Sequence, residues 1–191
     1  MNPHIECSDI GPRAKLIEIK EKTHLEEIFQ KINNRKLGDE QIIFYGDNPT
    51  KHYHFFDFVK RAQNKKYKII TIVDKGDSFV SPEFTVNSIL SGITDIQLII
   101  NSLSQSDKKA IINILKLAKV TPPFFKPSLS IGIYNSNKSE QKKMIENLKK
   151  LSVKEIFIID SKKILKLESG KRIDYDEYCK KNRVLAISDL F

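Results

Sequence analysis

Ile42-Ile43-Phe44-Tyr45-Gly46-Asp47-Asn48-Pro49-Thr50-Lys51-His52 passes from an apolar run of strand length into a polar turn within a few residues. The run from Gln41 to Tyr45 has the continuous hydrophobicity of a parallel strand covered on both faces, and Gly46 marks its end. From Tyr53 a helical pattern places Phe55, Phe58, Val59 and Ala62 on one stripe. Tyr67 to Val73 is then the next buried strand, and Asp74-Lys75-Gly76-Asp77 the loop after it. Strand, helix, strand in this spacing predicts one β-α-β unit, with the quoted turn at the carboxyl end of its first strand.

The same alternation extends in both directions. Toward the N-terminus, Asn2 to Cys7 is a short strand candidate and Leu16 to Ile19 a brief extended segment. Thr23 is placed to cap a helix carrying Leu25, Ile28, Phe29 and Ile32, with Glu26 completing a capping box, and Gly38 marks the turn out of it. Toward the C-terminus, Pro82 opens a helix bearing Phe84, Val86, Ile89 and Leu90 that stops at Gly92, and Asp95 to Ile100 is a strand. Asp107 to Val120 is a helix with Ile111, Ile114, Leu115 and Ala118 on one face, broken by Thr121-Pro122-Pro123. Ser128 to Tyr134, Ser139 to Leu151 and Val153 to Ile159 complete the series as strand, helix and strand. Without the segment at Leu16, the pattern predicts six strands and five helices.

Such alternation implies right-handed crossovers and a parallel sheet, but periodicity does not choose between an open doubly wound sheet and a curved partial barrel. Either arrangement gathers Cys7, Gly46 to Pro49, Asp74 to Asp77, Asn101-Ser102 and Asn135-Ser136 at the carboxyl ends of the strands. Residues 1–160 form the expected domain. Residues 161–191 contain Ile164 to Leu167, a turn at Ser169-Gly170, a short helix around Tyr175 to Lys181 and the apolar Val184 to Ile187, and are expected to be a C-terminal extension packed on that domain.

Composition narrows the function classes. A chain of 191 residues is long enough for one well-enclosed core. No apolar run approaches the roughly 18 residues of a membrane span, and the start of the chain lacks a signal-peptide pattern, so no membrane partner and a cytoplasmic location are expected. Cys7 and Cys179 stand apart without neighbouring thiols, which argues against a disulfide framework and against a zinc site. His52 and His54 are two donors only, and two ligands do not close a metal site. The net charge of +9 permits contact with nucleic acid or an acidic partner, although the lysines occur as pairs such as Lys108-Lys109 and Lys142-Lys143, so a solvated surface is the plainer expectation.

The order of landmarks resembles the core domain of the radical S-adenosylmethionine (SAM) superfamily over roughly residues 1–160. Gly46-Asp47-Asn48-Pro49-Thr50-Lys51-His52 is similar to that family's Gly-Gly-Glu-Pro-Thr-x-His turn, which receives the methionyl end of SAM. Val73-Asp74-Lys75-Gly76 stands where the family often has Thr-Asn-Gly, and Gly92 to Ile100 resembles its next helix-to-strand passage. The resemblance implies a six-stranded partial β/α barrel and a cofactor-binding rim made by Gly46, Asp47, Asn48, Pro49, Asp74, Gly76, Asn101 and Ser102. Where the family carries Cys-x3-Cys-x2-Cys for a [4Fe-4S] cluster, the chain reads Cys7-Ser8-Asp9-Ile10-Gly11-Pro12-Arg13-Ala14, so Cys7 is the one surviving cluster-type cysteine. Three thiolates are needed to leave one iron free for SAM, and no catalytic residue or metal ligand set is therefore expected. Asn48 replaces the acid that would pair with the SAM ammonium, so SAM binding stays compatible with the turn but is weakened.

Several functions follow from this pattern. The leading expectation is a non-catalytic binding or accessory subunit that lacks the cluster site and works beside an intact radical SAM enzyme or another protein subunit. Alternatives are a related enzyme whose site is completed by a partner chain or uses a carboxylate group of Asp9, Asp47, Asp74 and Asp77, and a basic nucleic-acid-binding protein.

Overall fold

The computed structural model describes residues 13–46, 48–123, 126–134, 137–159, 165–167 and 172–173. Six strands, β1 (Arg13–Glu18), β2 (Asp39–Tyr45), β3 (Ile69–Asp74), β4 (Asp95–Ile100), β5 (Ser128–Ile133) and β6 (Glu155–Ile159), alternate with five helices. These are α1 (Leu25–Asn33), α2 (Phe55–Asn64), α3 (Pro82–Leu90), α4 (Gln105–Val120) and α5 (Lys138–Lys150). Every pairing from β1 to β6 is parallel. An antiparallel hairpin, β7 (Leu165–Leu167) and β8 (Arg172–Ile173), continues the sheet beyond β6. The rest of the segment after Ile159, with its expected helix and apolar run, lies outside the described residues.

The spatial order of the strands equals their order in the chain. Each crossover therefore steps in the same direction, and right-handed crossovers that never reverse place all helices on one face of the sheet. The alternative of a doubly wound sheet is excluded, because it requires a reversal of strand order. The result is a singly wound α/β sheet of partial-barrel type.

Strand residues sort accordingly. Ile42, Phe44, Ile70, Ile72, Ile96, Leu98, Ile131 and Ile133 join the core shared with Ile28, Phe58, Ile111, Ile114 and Leu148 of the helices. The alternate positions Ile43, Thr71, Val73, Gln97, Ser130 and Phe157 are buried on the other face.

The segment at Leu16, expected only as a brief extended piece, is a full strand, β1, the first of the described strands; the expected strand Asn2 to Cys7 lies outside the described residues. Ile17 and Ile19 are 1% exposed while Leu16 is 44% exposed, the alternation of an edge strand with one covered face. Ala14, assigned by the resemblance to the last cluster position, sits within β1 opposite Gln41. The loop leaving the first described strand is therefore Ile19 to His24.

Two helix expectations also shift. Thr23 does not cap α1: His24 is the N-cap residue, and Thr23 Oγ1 accepts the Lys20 N–H at 2.9 Å to close the turn before it. On α3 the buried residues are Thr85, Ser88 and Ile89, while Leu90 is 79% exposed. The Thr85 hydroxyl donates to the Ser81 carbonyl at 2.9 Å and that of Ser88 to the Phe84 carbonyl at 2.8 Å. These local bonds satisfy their polar atoms and let small residues take the inner face.

Candidate functional site

Parallel strands end together, so the turns after β1, β2, β3 and β4 share one rim. Gly46, the first residue after β2, has φ +148°, and a Cβ there would run into the Ile19 carbonyl oxygen just past β1. The Ile19 N–H in turn donates to the Tyr45 carbonyl at 2.7 Å. Only glycine allows two neighbouring strand ends to come this close.

A buried carboxylate stands at the centre. Asp74, the last residue of β3, is 2% exposed. Its Oδ2 accepts the Thr50 N–H at 3.2 Å and the Thr50 hydroxyl at 2.8 Å, and its Oδ1 accepts the Gly76 N–H at 2.7 Å. Thr50 Oγ1 also shares a hydrogen bond with Ser78 Oγ at 2.9 Å. Burial pushes the Asp74 carboxyl above its ordinary value, opposed by the bonds from Gly76 and Thr50, with the nearby Asp77 charge adding to the rise. Pro49 opens a single 3-10 turn, Pro49–Lys51, that delivers Thr50 to this carboxylate.

His52 ties the same turn to the other neighbour. The His54 N–H donates to His52 Nδ1 at 3.1 Å, which leaves the ring proton on Nε2 to donate to the Thr23 carbonyl at 3.0 Å. His54 instead meets Asp57 at 2.9 Å. The two histidines thus have separate partners. Among the described residues, no group of three or more His, Cys, Asp or Glu is placed to hold a metal ion.

At the solvent edge, Lys51 Nζ pairs with Asp77 Oδ2 at 2.6 Å, and Asn48 Nδ2 reaches the same oxygen at 3.5 Å. Asn48 Oδ1 is buried without a hydrogen-bond partner. A buried acceptor left unpaired costs about 1–3 kcal/mol; among the described residues Gln41 Oε1, at the start of β2, is the other buried side-chain atom left so.

Of the residues singled out from sequence, Gly46, Asn48, Pro49, Asp74 and Gly76 are brought together on the β2 and β3 turns. Asn101 and Ser102 follow β4 on the same rim, both exposed. Asp47, Cys7, Asp9 and Asn135-Ser136 lie outside the described residues. The sequence-based site omitted Thr50, Ser78 and Ile19. Thr50 was legible, as a hydroxyl residue beside Pro49 within the quoted stretch. Ile19 carried no signal, because its contribution is a backbone carbonyl whose neighbour is set by strand order.

Set against known protein families the chain matches no family model, and no curated protein matches it. Among the described residues no helix is long and apolar enough to cross a membrane.

Proposed function

We propose that this protein is a radical-SAM-like partial barrel without an iron-sulfur cluster site, acting as a non-catalytic binding or accessory subunit. The cluster-type positions carry this proposal. Where the resembled family has three cysteines the chain has Cys7, Gly11 and Ala14, and Ala14 sits within β1 opposite Gln41. The connection from β1 to α1, Ile19 to His24, adds no cysteine, and its carbonyls at Ile19 and Thr23 pack against Gly46 and His52. A cluster needs three thiolates; this donor set does not fit one.

The remaining rim favours binding over chemistry. Asp74 is occupied by three hydrogen bonds from its own chain, which removes it as a free acid or base. Asn48 Oδ1 stays available for an amino or amide donor, through a neutral bond about half as strong as that of a carboxylate. An intact radical SAM enzyme is the partner class that the resemblance implies.

Anaerobic incubation of the full chain with iron and sulfide, followed by metal analysis and a SAM-cleavage assay, tests the proposal. Substoichiometric iron and no 5′-deoxyadenosine are expected. A stoichiometric cluster with SAM cleavage by the chain alone would overturn it.

A further inference from the structure

The charge of the molecule is unevenly placed. Residues 13–104 hold 14 basic and 12 acidic side chains, whereas residues 105–155 hold 11 lysines against Asp107, Glu140, Glu146 and Glu155. The second stretch therefore supplies an excess of seven out of the net +9. In the first stretch, Lys20, Lys31, Lys51 and Lys68 pair with Glu18, Glu27, Asp77 and Glu40. In the second, Lys109, Lys116, Lys119, Lys142, Lys143 and Lys150 are exposed and form no ion pair among the described residues.

The fold makes this stretch one surface. Helices α4 and α5 are successive crossovers, from β4 to β5 and from β5 to β6, on the helical face. Ala110, Ile111, Ile114 and Ala118 of α4 and Met144 and Leu148 of α5 are buried. The lysines are left on the solvent side of both helices, which run about 24 and 20 Å at 1.5 Å per residue.

We infer that the outer face of α4 and α5 docks the phosphodiester backbone of nucleic acid without reading its sequence. Three features select this partner. Neither helix carries an aromatic residue or an arginine, the residues that anchor protein interfaces and stack on bases. Apart from Val120 at the end of α4, the exposed positions of both helices are polar or charged, so the face lacks the apolar stripe that an interfacial helix buries in a membrane. Lysine ammonium groups, as point charges, suffice for phosphate contacts, which give affinity without base specificity. This inference is independent of the function proposed for the rim.

Fluorescence anisotropy of the full chain with labelled random-sequence single-stranded RNA and duplex DNA between about 50 and 200 mM salt provides the test. Binding should fall linearly with salt on logarithmic axes. The variant K142Q/K143Q/K150Q should bind about 10- to 100-fold more weakly and lower the salt slope by roughly 2 to 3. The control K22Q/K36Q/K66Q, with equal loss of charge elsewhere, should change binding by less than about threefold. Circular dichroism confirms that both variants fold. Equal losses in the two variants, no binding at the lowest salt, or tighter binding to phosphatidylserine vesicles than to either nucleic acid would overturn the inference.

Discussion

The rim at β2 and β3 and the outer face of α4 and α5 treat charge in opposite ways. At the rim, Asp74 is enclosed by Thr50 and Gly76, Asp77 is matched to Lys51, and His52 bridges to Thr23. On the helices, lysines project from amphipathic elements that spend only their apolar stripe on folding. The difference separates groups that hold the chain together from groups that folding leaves for a partner. Substitutions at the rim should cost stability; those on the helices should leave it within about 0.5 kcal/mol.

The largest expected effect is at Gly46. Gly46→Ala should destabilise the protein by about 2–3 kcal/mol, because strain at positive φ adds to a collision with the Ile19 backbone. Gly38→Ala, also at positive φ (+92°) but with nothing within 4 Å of its Cβ, should cost only about 1 kcal/mol. Urea unfolding of both variants measures the gap, and equal losses would show that the strand ends do not meet as described.

Next comes the buried carboxylate. Asp74→Asn should cost about 1–3 kcal/mol, since an amide nitrogen would face a donor from Thr50 or Gly76. Its dependence on pH has a definite sign. A folded-state carboxyl held above its ordinary value of 3.8 binds protons more tightly than the unfolded chain. Its contribution is fully present below the unfolded value and is lost as pH rises through the raised folded value. The penalty of Asp74→Asn, measured by denaturation at a series of pH values, should therefore shrink as pH climbs from about 4 across that interval. A penalty that grows with pH would mean that the hydrogen bonds outweigh burial.

The smallest effect belongs to the exposed pair. Lys51→Gln should change stability by less than about 1 kcal/mol, and less still at high salt, because Lys51 and Asp77 are both about half exposed. A larger loss would place Lys51 with the enclosed network instead of the solvated surface.

Much of the scaffold was legible because its signals are local. The run ending at Gly46, the stripe of Phe55, Phe58, Val59 and Ala62, and the strand Asp95–Ile100 follow from apolar spacing, and the structure places each where that spacing predicts. The stripe on α3 misled because hydrophobicity does not reveal that Thr85 and Ser88 can satisfy themselves on the helix backbone.

From its order of residues alone, the chain determined that strands and helices alternate, where each turn falls and how many lysines it carries, because periods of 2 and 3.6 residues are written locally. Tertiary structure decided that the sheet winds in one direction, that Ile19 lies against Gly46 and Thr50 against Asp74, and that the unpaired lysines share one face. Those facts depend on which distant strands become neighbours. Crossover direction and the packing of the whole sheet set that choice, and neither is carried by any single segment.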